Sequence, residues 1–437
     1  MSCSITEMNT PPVRRIAPVL IYLLPALADL LVAQFLFVNA VRLAHAGASA
    51  SVVANTVTVW SVAYLLACPV IGRFLTADNA ARMMMGSMLG LALIGALFTV
   101  MDGVVGVYIL MALTGMIAAL FFPPFQVFMK AVDRVDDKPL AYSTGLYTFS
   151  WSMGFAIGPF VAGFLMDLGP DGWKYACWFA VAVALAAAIS VYYLKSLVER
   201  PTTNDQRLTT NDQRSTTNDQ RLTTPDQRPT TPDQRPTTTG GGCFCAGMDY
   251  SRMSDLAWLG WIGGGVGVIL ITFVRAVFPV RAEVDLHLAQ STQGLIFFLI
   301  SLAQGLTGLV LCRSRYWMYR PLAISAFGLL GVLGLLVFGF GEATLALVAG
   351  AVLFGVYSGS FFFYLVFHAL VHPQRSSRYV AINESVVGVC SMAGAMIGGW
   401  VADRLGFGTL YAGGMALLLL TLLFQWGIHR RHPVLSK

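Results

Sequence analysis

Long apolar runs separated by short polar breaks organise this chain. Runs of membrane-spanning length occur near 17–40, 50–74, 83–101, 104–129, 141–166, 174–195, 256–280, 291–312, 319–340, 343–368, 379–402 and 409–428. A hydrocarbon core about 30 Å thick takes roughly 20 residues of helix, and the runs suit that length. Lipid accepts only helices or closed barrels, and the runs lack the apolar–polar alternation of barrel strands. The expected fold is therefore all-α, a membrane protein of twelve transmembrane helices. The first run follows Arg14-Arg15. It outlasts the roughly 7–15 apolar residues of a signal-peptide core, so it reads as a retained span.

Six runs precede and six follow a polar stretch at 198–255. A shift of 236 residues lays Phe37-Val38-Asn39-Ala40-Val41 on Phe273-Val274-Arg275-Ala276-Val277, Gly158 on Gly394, and Gly163-x3-Asp167 on Gly399-x3-Asp403. A shift of 240 lays Leu113-x-Gly115 on Leu353-x-Gly355. Matches in register, with equal helix counts, point to a duplicated unit. The expectation is two pseudo-symmetric six-helix bundles, 16–197 and 256–429, with a site between them and polar tails at 1–15 and 430–437. The stretch between the halves repeats Thr-Thr-Asn-Asp-Gln-Arg-Leu with period seven from 202 to 236. Its heptad has no second apolar position for a coiled-coil seam, and Thr, Asn and Pro disfavour helix interiors. A disordered linker is expected.

Composition agrees with the pattern. Only 11% of residues are charged, against about a quarter in soluble domains, so the apolar excess must face membrane lipid. A net charge of +6 would raise nucleic acid as a partner for a soluble chain. Here the basic residues mark one side of the membrane instead, and no nucleic-acid partner is expected. With the N-terminus inside, 5 of the 28 Lys and Arg residues fall on the far side: Arg42, Lys174, Arg275, Arg281 and Arg404. The bias persists when the linker is left out, and places both termini in the cytoplasm of an inner membrane. The 7 cysteines are scattered and make no disulfide framework. Cys243-Phe-Cys245 lacks partner ligands for a metal. No cofactor is expected: Gly263-Gly264-Gly265-Val266-Gly267 lies inside an apolar run, without the strand-to-helix setting of a phosphate loop. Walker, paired-histidine and nucleophile-elbow motifs are absent too, so the chain does not read as an enzyme.

Three local motifs narrow the fold. Span five carries Ser150-x3-Gly154-x3-Gly158-Pro159-x2-Ala162-Gly163, span six opens on Gly172-Trp173-Lys174, and Asp403-Arg404-x-Gly406 follows span eleven. With six plus six spans and a long middle loop, the chain resembles the major facilitator superfamily. Gly154, Gly158, Pro159 and Gly163 form the expected packing motif, since small residues at every fourth position let a neighbouring helix come close. The resemblance implies alternating access, with spans one, four, seven and ten lining a central cavity. The chain also departs from the family. Thr76 stands where the loop after Gly72 usually carries an acid, Cys312 stands at the matching place after Gly308, and Met111 replaces an arginine of some proton-coupled members.

Ionisable residues inside a span are costly and point to function. Asp29, twelve residues into span one, is placed to take a proton or pair with a cation. Arg275 in span seven shares a stripe with Trp261 and Thr272, and suits an anion, a pairing with Asp29 or an interfacial position. Tyr357, Phe361, Tyr364 and His368 fall on one face of span ten, an aromatic stripe that the resemblance places against substrate. Glu384 beside Asn383 is a candidate proton site or inner-gate contact, and Gln126, Lys130 and Trp151 complete the set. The expected function is secondary transport of a small-molecule substrate by a monomer, with protons as the coupling ion or as a uniporter. The alternative is a sensor or assembly protein that kept the fold without transport.

Overall fold

The computed structural model describes residues 12–128, 140–198, 257–313, 317, 320–370 and 376–431. The heptapeptide linker, Cys243, Cys245 and Lys130 lie outside the described residues. Ten helices run α1 (Pro12–His45), α2 (Ala50–Phe74), α3 (Ala77–Phe98), α4 (Gly103–Ala119), α5 (Leu140–Met166), α6 (Gly172–Val198), α7 (Ala257–Val284), α8 (Gln290–Leu311), α9 (Pro321–Phe340) and α10 (Thr344–Leu370). A last helical run covers Ser376–Arg431. Unbroken, its 56 residues would extend roughly 84 Å at about 1.5 Å per residue, far more than a bilayer. Gly406 breaks it with φ 83° and ψ 162°, a left-handed backbone that glycine adopts without a Cβ clash. The run is thus two spans, α11 (376–405) and α12 (407–431), and the described chain makes twelve crossings. It is an integral multi-pass membrane protein, and large apolar side chains such as Leu93 and Leu423 are exposed on its outer surface, as a lipid surrounding requires.

Local chemistry sets the helix ends. The Ser49 side chain accepts the Val52 N–H at 3.4 Å to cap α2. Thr76 accepts the Asn79 N–H at 3.3 Å while Asn79 Oδ1 accepts the Thr76 N–H at 2.8 Å, a reciprocal cap for α3. The residue that replaces the family's acid is therefore used to start a helix. Span four is not the unbroken helix expected over 104–129. The Leu120 and Phe121 N–H groups turn back to Ile117 and Ala118 at 3.0 and 2.9 Å. Pro123 and Pro124 then have no N–H to continue the ladder, and helix resumes at 122–128.

The main helix pairings of one half recur in the other. α1 packs on α5 as α7 packs on α11; α2 packs on α4 as α8 packs on α10; α3 packs on α6 as α9 packs on the last helical run. The halves meet mainly along α5–α8 and α2–α11. The fifth-helix motif explains how close these seams are. A Cβ on Gly154 would lie 2.7 Å from Leu30 N and 2.9 Å from the Asp29 Cβ, and one on Gly158 3.1 Å from Gln34 N. Only hydrogen at these positions lets α1 lie against α5. Gly163 faces the other neighbour, where a Cβ would strike the Gln290 backbone of α8.

Candidate functional site

A cavity of about 220 Å³ lies between the halves and takes side chains from both. From the first half come Asp29 (α1), Trp60 and Tyr64 (α2), Phe122 and Gln126 (the segment after the α4 break), and Tyr147, Trp151 and Phe155 (α5). From the second come Thr272 and Arg275 (α7), Phe297 (α8), Phe362, Leu365 and Val366 (α10), and Asn383, Glu384 and Ser391 (α11). Aromatic rings are prominent in the walls, and three charged groups, Asp29, Arg275 and Glu384, interrupt them.

Asp29 is 6% exposed. Among the described residues its carboxylate has no hydrogen-bond or ion-pair partner, although Arg275 and Glu384 lie within electrostatic reach. The close α1–α5 approach at Gly154 holds it there, because the Asp29 Cβ sits against that glycine. Arg275 is half-buried and tied to protein on two sides. Its Nη2 donates to Ser301 Oγ at 3.0 Å, and its guanidinium lies over the Phe155 ring at 4.4 Å, a cation–π contact between the halves. The alternatives of an interfacial position and of a direct ion pair with Asp29 are not what the geometry gives. Glu384 accepts a hydrogen bond from Gln126 Nε2 at 3.3 Å, another link between halves, and Tyr64 and Tyr147 stand beside this pair. Trp151 meets Phe362 edge to face at 5.0 Å. Asp29, Arg275, Glu384, Gln126 and Trp151, scattered over five segments of the sequence, thus converge on one space.

The expected aromatic stripe of α10 does not face this space. Tyr357 is fully buried against Phe354 and Phe361 at 5.6 and 4.6 Å and against Gly331 of α9. The Tyr364 hydroxyl donates to the Trp317 carbonyl at 3.0 Å, and its ring meets the Trp317 ring at 4.7 Å. His368 is buried, stacked on Tyr364 at 5.9 Å and close to Gly260. The reason is helix rotation: Gly263 and Gly267 of α7 leave room for Phe361, which draws the stripe into the second half and turns Phe362, Leu365 and Val366 to the cavity. Trp261 also lies elsewhere, edge-on to Tyr379 at 5.3 Å, whereas Thr272 on its stripe does line the cavity.

At the end of the bundle away from the termini, polar contacts tie the halves together. Gln290 N and Ser291 N of α8 donate to Asp167 at 3.2 and 3.0 Å. Ala50 N and Ser51 N of α2 donate to Asp403 at 2.8 and 2.9 Å. His45 Nδ1 lies 2.6 Å from Glu283 Oε1. Next to them Arg42 pairs with Asp102 and covers the Trp173 ring at 3.8 Å, which joins the starts of α4 and α6 to the end of α1. Sequence reasoning missed Tyr64, Tyr147, Phe155 and Phe362, which carry no periodic signature. It also passed over Asp167 and Asp403, although the repeated Gly-x3-Asp was a signal that could have found them.

The sequence of these two six-helix halves has a match among known families. The model of the Major Facilitator Superfamily matches residues 20–278. The chain belongs to the major facilitator superfamily. Its fold is similar to the crystal structure of the human organic anion transporter MFSD10 (TETRAN), with TM-score 0.59 and 15% identity over 95% of this chain and 100% of that one. At that identity the likeness is one of fold. No curated protein matches the sequence. Membership of this superfamily supports solute transport in general, and a transporter rather than an enzyme.

Proposed function

We propose that this superfamily member is a secondary transporter that carries a small solute through the Asp29 cavity by alternating access, with Asp29 as the coupling proton site. The observation that carries the reading is Asp29 itself. A buried carboxylate without a partner is expensive in low dielectric, and such a group facing a cavity inside a membrane is kept for a ligand or a proton. Both halves supply walls to the cavity, so a rocking motion between them changes the site along with its access. The positive-inside bias of the sequence puts the termini in the cytoplasm. The Asp167, Asp403 and His45–Glu283 contacts then close the outer side.

The test is flux into proteoliposomes under an imposed pH gradient, across a broad panel of solutes. Gradient-driven uptake that disappears in Asp29→Asn, with expression intact, is the expected result; unchanged flux rules Asp29 out as the proton site. The sensor or assembly reading is favoured by Thr76, whose capping role leaves the family's loop acid without a counterpart at that position. Absence of flux for every solute would select that reading.

A further inference from the structure

Building on the transport reading, we infer that the cavity takes a small monovalent organic cation with an apolar or aromatic body, and that this cation and a proton compete for Asp29. The charge balance leads there. Among the described residues, Asp29, Glu384 and Arg275 are the charged side chains of the lining, which contains no described lysine or histidine. With both carboxylates ionised the sum is one net negative charge, enclosed by apolar walls. An uncompensated charge in such surroundings is costly. The site is therefore completed by one added positive charge, either a proton on a carboxylate or a cationic ligand.

The remaining geometry says which ligand charge fits. Arg275 is the only positive group among the described lining residues, and part of its donor fork is already held by Ser301 at 3.0 Å, with its face over Phe155 at 4.4 Å. Glu384 is engaged by Gln126. Of the three charged groups Asp29 alone has no partner among the described residues, so it is the charged acceptor left for a ligand, with the unpartnered Asn383 Oδ1 a neutral acceptor in the same lining. The groups that face it from neighbouring elements are Arg275 of α7, Glu384 of α11 and the Tyr147 phenol of α5. An anion would meet two carboxylates and a partly engaged guanidinium. A cation meets the two carboxylates and the aromatic walls, whose ring faces attract positive charge. Exchange makes and breaks no covalent bond except the carboxyl O–H: the cation settles beside the Asp29 carboxylate and the proton leaves to water, one for one.

Three probes of similar shape test this on purified full-length protein in detergent: N-methyl-phenylpyridinium, neutral methylbiphenyl and biphenyl carboxylate. The pyridinium is expected to bind about tenfold or more tighter than the other two, a margin set by electrostatics alone. Its affinity should fall as pH is lowered. Calorimetry in two buffers of different ionisation enthalpy should show proton release on binding. Asp29→Asn should remove the preference and the pH dependence, while monodisperse elution and a cooperative melting transition show that the variant is folded. Stronger or equal binding of the carboxylate, no binding of the pyridinium, or cation binding without proton release overturns the inference. The transport reading fails separately: pyridinium binding without gradient-driven flux would keep the ligand class and remove the transporter.

Discussion

Asp167 and Asp403, related by the 236-residue repeat, each cap the first turn of a helix in the opposite half. Asp167 accepts from Gln290 and Ser291 at the start of α8, and Asp403 from Ala50 and Ser51 at the start of α2, all within 3.2 Å. A helix N-terminus presents unpaired N–H groups and positive potential, so a carboxylate there is doubly favoured. Gly163 and Gly399, one turn earlier, let the backbones come close enough: a Cβ on Gly399 would lie 2.8 Å from the Ser51 Cα. The two contacts form a symmetric latch across one end of the cavity.

Removing the latch should open that end. Asp167→Asn and Asp403→Asn each lose a charge at a helix start, about 1 kcal/mol or about fivefold in the closed-to-open ratio. The double variant should approach the product of the two. The check is maleimide labelling, from the side away from the termini, of a Phe37→Cys reporter in a background without other reactive thiols. Equal labelling of parent and double variant would show that the latch does not control access.

Tyr364 should matter to stability and not to ligand. Tyr364→Phe deletes the hydrogen bond to the Trp317 carbonyl, for which a loss of about 1 kcal/mol is expected. Trp151→Ala, in the cavity wall, should instead weaken ligand affinity. Thermal melting and probe binding on both variants make the comparison. A binding defect in Tyr364→Phe with an unchanged melting temperature would return the stripe to the site.

Gly158→Leu, in the fifth-helix motif, should be strongly destabilising. Its Cβ would press on the Leu30 carbonyl and Gln34 N of α1, and the branched side chain cannot be absorbed without separating α1 from α5. Overpacking of about 1–3 kcal/mol is the usual minimum. Because α1 carries Asp29, residual folded protein should also show altered coupling. Monodispersity and melting temperature report the first effect, and pH-driven flux the second.

Deleting residues 202–236 should leave melting temperature and flux near those of the full chain. The repeat has too few apolar positions to contribute a packed surface. Loss of either property would assign the linker a structural or partner-binding role.

How much was legible beforehand follows from the range of each interaction. The run lengths, the break between halves and the Gly-x3-Asp repeat are local or periodic, so they could be read directly. Asp29 stood out because one charge in an apolar run is conspicuous wherever the helix points. The α10 stripe was misplaced because periodicity shows which residues share a face but not which neighbour that face meets. Gly263 and Gly267, which the sequence showed only to lack the setting of a phosphate loop, decide it by admitting Phe361.

The sequence by itself determined a membrane-embedded, all-helical chain of two related halves, because a bilayer imposes length and hydrophobicity on each span separately. It also determined the small-residue face of span five. Only the tertiary structure decided that Asp29, Glu384 and Arg275 share one aromatic cavity, that Asp29 is left without a partner there, and that Asp167 and Asp403 close one end. Those outcomes depend on the rotation of each helix about its axis and on contacts between residues hundreds of positions apart. Close packing of whole helices sets both, and no single stretch of sequence encodes either.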